Sequence, residues 1–166
     1  MIRQFACFGL AGQCVPVTVV ATLGIGFLLA VLWFDLMFDV QVRGHHDAEL
    51  PPAVLDSLAT YYRRVTTTAR PMNRLIAAAM LVTVVGLVGE AVGSTVRDWV
   101  AWLSLGLTTA AVGLAAVRTV RNAVQLGGQA DSIDRQSVLA RSIFRDHVVC
   151  ITAVAVTVVL QVVFAR

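Results

Sequence analysis

Four stretches of the chain stay apolar far longer than a soluble helix requires, and the segments joining them alternate apolar and charged positions with helical spacing. The first is uncharged from Pro16 to Phe34 and then meets Asp35 and Asp39, one helical turn apart on the same face. At about 1.5 Å per residue, 16–38 would reach roughly 35 Å, enough for a hydrocarbon layer of about 30 Å. Helices are therefore expected over 16–38, 72–93, 95–126 and 132–165. Between the first two, 53–69 sets Val54, Leu55, Leu58, Tyr61 and Tyr62 against Asp56, Arg63 and Arg64, the pattern of an amphipathic helix at a membrane boundary.

Boundary residues agree with these limits. Pro16 suits a first turn, where its missing N–H has no partner anyway, and Pro71 interrupts the helix before it. Gly93-Ser94-Thr95 is short enough to make the second and third helices antiparallel neighbours. Gly127-Gly128 closes the third helix, and Asp131 or Ser132 can cap the fourth, with Asp134 in its first turn. Gly24 and Gly26 would let a neighbouring helix approach closely. Residues 1–15 are expected to form an interfacial lead-in. The apolar run after them lacks a small-x-small cleavage pattern and reads as a retained helix rather than a signal peptide.

Composition moves this from a helical protein to a membrane one. The chain is 58% hydrophobic and 14% charged, against about 25% charged in soluble domains, and its mean hydropathy is +0.80. Such a chain must satisfy its backbone internally. No repeat or linker divides it, so the expectation is one all-α domain over 1–166, a four-helix transmembrane bundle with amphipathic cytoplasmic extensions.

All thirteen basic residues are arginine. With four crossings, Arg43, Arg63, Arg64, Arg70, Arg74, Arg118, Arg121, Arg135, Arg141 and Arg145 share one side, and only Arg3, Arg97 and Arg166 the other. The positive-inside rule then puts both long connections in the cytoplasm and both termini outside, in a multi-pass protein of the cell (inner) membrane. A net charge of +3 distributed in this way points to topology and anionic lipid headgroups, not to nucleic acid. Expected partners are the bilayer, a lipophilic small molecule, and either a second copy or a membrane-complex subunit. Ionisable groups are scarce at mid-membrane in the last three helices, which weighs against an ion-coupled transporter.

The same topology gathers the polar residues at the cytoplasmic helix ends. Asp35, Asp39 and His147 are candidates for proton transfer. Arg118, Arg121, Asn122, Arg141, Arg145 and Tyr62 are candidates for holding a substrate. The competing reading is an interhelical network in which acids and arginines fix helix register, with His147 a hydrogen-bonded structural residue and Tyr61-Tyr62 interfacial anchors. His45, His46 and Glu49 are candidate metal ligands, with surface residues as the alternative; the cofactor is unknown. Cys7, Cys14 and Cys150 form no Cys-x-x-Cys motif, so a thiolate zinc site is not indicated. Cys7 and Cys14 either pair in an oxidising compartment or act as small hydrophobes.

Three stretches carry a resemblance: Tyr61-Tyr62-Arg63-Arg64 followed by Pro71-Met72-Asn73-Arg74, Arg118 to Leu126, and Arg141-Ser-Ile-Phe-Arg-Asp-His147. With the four-helix plan, these resemble the anthrone-oxygenase-like family of small integral membrane proteins. The resemblance implies oxidation of a polycyclic phenolic substrate, with no settled cofactor. Two features depart from that pattern: the third helix closes on Thr119-Val-Arg-Asn122, and the Asp35/Asp39 pair has no match there. A non-catalytic membrane subunit or scaffold is the alternative function.

Overall fold

The structure, a computed structural model, describes residues 5–7, 14–45, 47–93 and 96–164. Two short strands, β1 (Phe5–Cys7) and β2 (Cys14–Pro16), pair antiparallel and set Cys7 opposite Cys14 in register. A strand pair therefore replaces part of the expected interfacial lead-in. Then follow α1 (Val17–Asp39), α2 (Pro52–Arg63), α3 (Arg70–Gly93), α4 (Asp98–Leu114), α5 (Val120–Gly128) and α6 (Ile133–Val159). Wider π-type turns join α4 to α5 and extend α6 to Phe164, so Asp98–Gly128 and Ile133–Phe164 are each continuous. Four helices are long and apolar enough to cross a membrane.

The local chemistry accounts for the breaks. The amphipathic helix runs on from Arg63 through a wide turn over Arg64–Thr68, close to its pattern, and ends at Ala69, where φ −85° and ψ 61° leave the helical region. Pro71 then lies in the first turn of α3. Asn73 steadies the break by donating from Nδ2 to the Thr66 carbonyl at 3.2 Å. The third span starts at Asp98 rather than 95, after an extended Arg97. Of the two proposed caps on the fourth span, Ser132 is used: its Oγ accepts the Arg135 N–H at 3.4 Å. The turn residues Ser94 and Thr95 lie outside the described residues.

α1 and α3 run antiparallel along a seam of small residues. A Cβ on Gly86 would stand 3.3 Å from that of Ala21, and one on Gly24 would collide with the Thr83 hydroxyl. Gly26 differs from its expected role, since nothing lies within 4 Å of where its Cβ would be. The bonds Thr119–Asp146 (3.4 Å) and Thr108–Thr157 (3.5 Å) fix the antiparallel register of α4 and α5 on α6.

Two cores result. At the arginine-rich end, Leu55 and Leu58 of α2, Ala123 and Leu126 of α5, and Leu139 and Ile143 of α6 form a fully covered apolar cluster. Along the bundle, a second cluster of Ala21, Ile25, Leu28, Leu87, Ala111 and Val154 is thin. Only 17% of the apolar window in the first span and 33% in the last is buried. Leu23, Leu81, Val92, Val117 and Val163 all face outward. Apolar surface pointing away from the core in this way is suited to lipid.

Candidate functional site

Asp35 and Asp39 face α2 and α6, and each finds a phenol and the same imidazole. Tyr62 Oη donates to Asp39 Oδ1 at 2.5 Å, and Tyr61 Oη donates to Asp35 Oδ1 at 2.7 Å. His147 Nδ1 lies 2.6 Å from Asp39 Oδ2, and its Nε2 lies 3.8 Å from Asp35 Oδ2. Asp39 is 1% exposed, so its short contacts form where an uncompensated charge would be most costly. With the Asp39 carboxylate as acceptor, the proton on Nδ1 is fixed and Nε2 is the nitrogen left for exchange. At 3.8 Å, Asp35 Oδ2 lies beyond direct hydrogen-bond reach of Nε2 but within ion-pair distance of it.

The phenols are part of the same electrostatics. Burial first, and the Asp39 charge second, hold the Tyr62 phenol well above its ordinary range. Tyr61 is raised for the same reasons, with Asp35 as the nearer acid. Both therefore stay protonated and act as donors. Phe38 stacks on Tyr61 with ring centroids 3.9 Å apart, closing the side of the site away from the bundle axis.

Beside this network is a partly open cavity of about 120 Å³. Asp35, Tyr62, His147 and Thr119 supply its polar end, and residues such as Leu28, Leu32, Met80, Ala111 and Val154 its long apolar wall. Asp39 is not among the lining residues and orients His147 from behind. The cavity thus has the shape of a ligand site: largely apolar, with a few convergent polar groups.

The arginines expected opposite the acids lie away from this cavity. None of Arg118, Arg121, Arg141 and Arg145 lines the cavity. Arg118 pairs with Asp146 (Nε–Oδ2 3.4 Å) and donates to Ser142 Oγ at 2.9 Å, where Asn122 Nδ2 also donates at 3.3 Å. Arg141 is spent on backbone: it donates to the carbonyls of Ala48 (2.9 Å), His45 (3.4 Å) and Asp47. Arg121 and Arg145 are exposed, Arg145 reaching only the Arg141 carbonyl at 3.4 Å. The physical reason is reach and register. Arg118 finds a nearer acid in Asp146 and Arg141 finds loop carbonyls, and tyrosines can satisfy a buried carboxylate without bringing in a second charge.

Of the metal candidates, His46 lies outside the described residues, Glu49 is exposed, and His45 meets Arg141 only through its carbonyl. Among the described residues, no group of three or more His, Cys, Asp or Glu side chains is placed to hold a metal.

Several residues have partners that the sequence did not assign. Asp146, adjacent to His147, is the true partner of the Arg118 face. Ser137 Oγ accepts the Leu50 N–H at 2.9 Å and, with Arg141, ties the α1–α2 connection to α6. Arg63 Nε donates to the Gly127 carbonyl at 2.8 Å, and a Cβ on Gly127 would stand 2.8 Å from the Arg63 nitrogen. Gly127 is therefore a docking notch for α2 as well as part of a helix end, whereas Gly128 faces open space. No family model, curated protein or solved structure matches the chain.

Proposed function

We propose that the chain is a multi-pass membrane protein whose cavity takes a lipophilic small molecule from the bilayer and accepts a proton from it at His147. The observation that carries this reading is the placement of His147 Nε2 at the polar end of an apolar cavity, with Asp39 fixing the ring from behind. The polar end holds the Asp35 carboxyl and no arginine, with Asp39 behind His147, so it favours a ligand that donates a hydrogen bond, such as a phenol or hydroquinone, over an anionic one. Transfer of a hydroxyl proton to Nε2 leaves an imidazolium held between Asp39 and Asp35. In an oxidoreductase of the kind that the anthrone-oxygenase resemblance implies, that transfer is the step preceding oxidation. The ten-to-three division of arginines supports placing this end of the bundle in the cytoplasm.

The test is ligand capture followed by turnover. Protein purified in lipid nanodiscs should retain a phenolic lipophile identifiable by mass spectrometry, and His147→Ala and Asp39→Asn should lose its conversion while remaining folded. Full activity in both variants would refute the assignment. One observation favours a scaffold instead: Asp39 already takes a bond from Tyr62 and one from His147 Nδ1, which suffices to clamp α1, α2 and α6 together. On that reading no ligand copurifies, and the variants change only stability.

A further inference from the structure

The other end of the bundle buries a second carboxyl. Glu90, three residues before the end of α3, is 0% exposed, and its Oε2 accepts a single hydrogen bond, from Gln161 Nε2 at 2.8 Å. Its Oε1 is buried without a hydrogen-bond partner among the described residues, and so is Ser104 Oγ on α4. These two orphaned atoms belong to one neighbourhood. Thr108 meets Thr157, and one turn further along the antiparallel register Ser104 comes level with Gln161, the residue bound to Glu90. Thr108 and Thr157 are likewise fully buried, so α3, α4 and α6 bury a group of polar side chains at this level.

Among the described residues, none around Glu90 offers a compensating charge. Among the described side chains, α1 has no titratable group before Asp35. α4 has only Asp98 in its first turn, with Arg97 just before it, and α6 has none beyond Cys150. Neither Arg97 nor Asp98 forms an ion pair with another described residue. A buried carboxylate with one neutral donor and no cation costs several kcal/mol, by an order-of-magnitude rule, and the cost vanishes when the group takes a proton.

We propose that Glu90, Gln161 and Ser104 form a proton-binding site at the α3–α4 end of the bundle, with Glu90 the group that takes up and releases the proton. Uptake makes one O–H bond at Oε1 and converts carboxylate to carboxylic acid; no other bond changes. The new hydroxyl needs an acceptor, and Ser104 Oγ is the unfilled polar atom at that level. Gln161 serves both states, because its N–H bonds to Oε2 whether or not Oε1 carries hydrogen. The site is separate from the His147 cavity, whose lining does not include Glu90.

Dicyclohexylcarbodiimide tests this, because it is lipophilic and reacts with protonated carboxyls in apolar surroundings. Treatment of the full chain in nanodiscs, followed by peptide mass spectrometry, should find the N-acylurea on Glu90. Its rate of formation should fall about tenfold per pH unit above the titration point of the site. Glu90→Gln should remove the adduct and Glu90→Asp should restore it at that position, both variants eluting as the folded protein. The proposal is overturned if Glu90 stays unlabelled in folded protein, or if labelling is independent of pH. Protection by sodium chloride at constant pH and ionic strength, but not by choline chloride, would also overturn it by making this a metal-cation site.

Discussion

Asp39 and Glu90 are both buried acids in long apolar helices, yet one is surrounded by partners and the other is short of them. Asp39 takes a phenol and an imidazole at 2.5 and 2.6 Å. Glu90 takes one amide and leaves an oxygen idle. The contrast separates two ways of keeping an acid inside an apolar bundle. A charged acid needs donors from several helices, and those donors then hold the helices in register. An acid that carries its own hydrogen needs few partners, and its neighbours are left free to respond when the hydrogen leaves.

Substitutions should expose this asymmetry. The largest effect is expected from Asp39→Ala, which strands Tyr62 and His147 inside the protein. A loss of about 3–5 kcal/mol is expected from breaking such a buried set, measurable by denaturant titration in mixed micelles. If Asp39→Ala unfolds no more easily than wild type, the clamp does not exist. Tyr62→Phe removes a single donor to a charged acceptor and should cost about 1.5–3 kcal/mol, whereas Tyr61→Phe, on a half-buried residue, should cost about 0.5–1.5 kcal/mol.

A pH titration isolates the same pair without mutation, because Tyr61 and Tyr62 are the only tyrosines in the chain. Both phenols are raised in the folded protein, so their stabilisation is complete below the ordinary phenol value of about 10 and is lost as pH rises past it. Tyrosinate absorbance should therefore be missing from native protein at a pH where the unfolded chain shows it fully. Tyrosinate appearing in native protein near the ordinary value would contradict the two hydrogen bonds.

At the Glu90 end the effects should be small. Glu90→Gln keeps an acceptor for Gln161 and should stay within about 1 kcal/mol of wild type. Ser104→Ala deletes a hydroxyl that has no partner and should be neutral or stabilising by up to about 1 kcal/mol. A large loss from Ser104→Ala would mean that its hydroxyl is already engaged, and the contrast between the two acids would collapse.

Much of this was visible in the order of residues. The four long helices follow from uninterrupted apolar runs, and the first matches residues 16–38 to within a residue at each end. The convergence of Asp35, Asp39 and His147 follows from spacing and from which helix ends share a side. What spacing could not supply was the choice of partner. Tyr61 and Tyr62 are sequence neighbours, a relation that normally sends side chains to different helix faces. Both reach acids because α2 lies against α1, where the acids are one turn apart. Opposite charge suggested arginine instead, but Asp146, beside His147, takes Arg118, and three loop carbonyls take Arg141. Glu90 looked isolated in the sequence. Its importance depends on Ser104 and Gln161, whose nearness requires the register of α4 on α6.

The Asp39–His147 contact joins residues 108 positions apart, the first long helix to the last. During synthesis the acid emerges early, and its imidazole is made only after every other helix has been laid down. Until then the first helix carries a carboxyl that resists being settled among its neighbours, and Tyr62 alone can shield it. Closure of the bundle around this acid thus waits for α6, and a product shortened before it would leave Asp39 with Tyr62 as its one buried donor among the described residues.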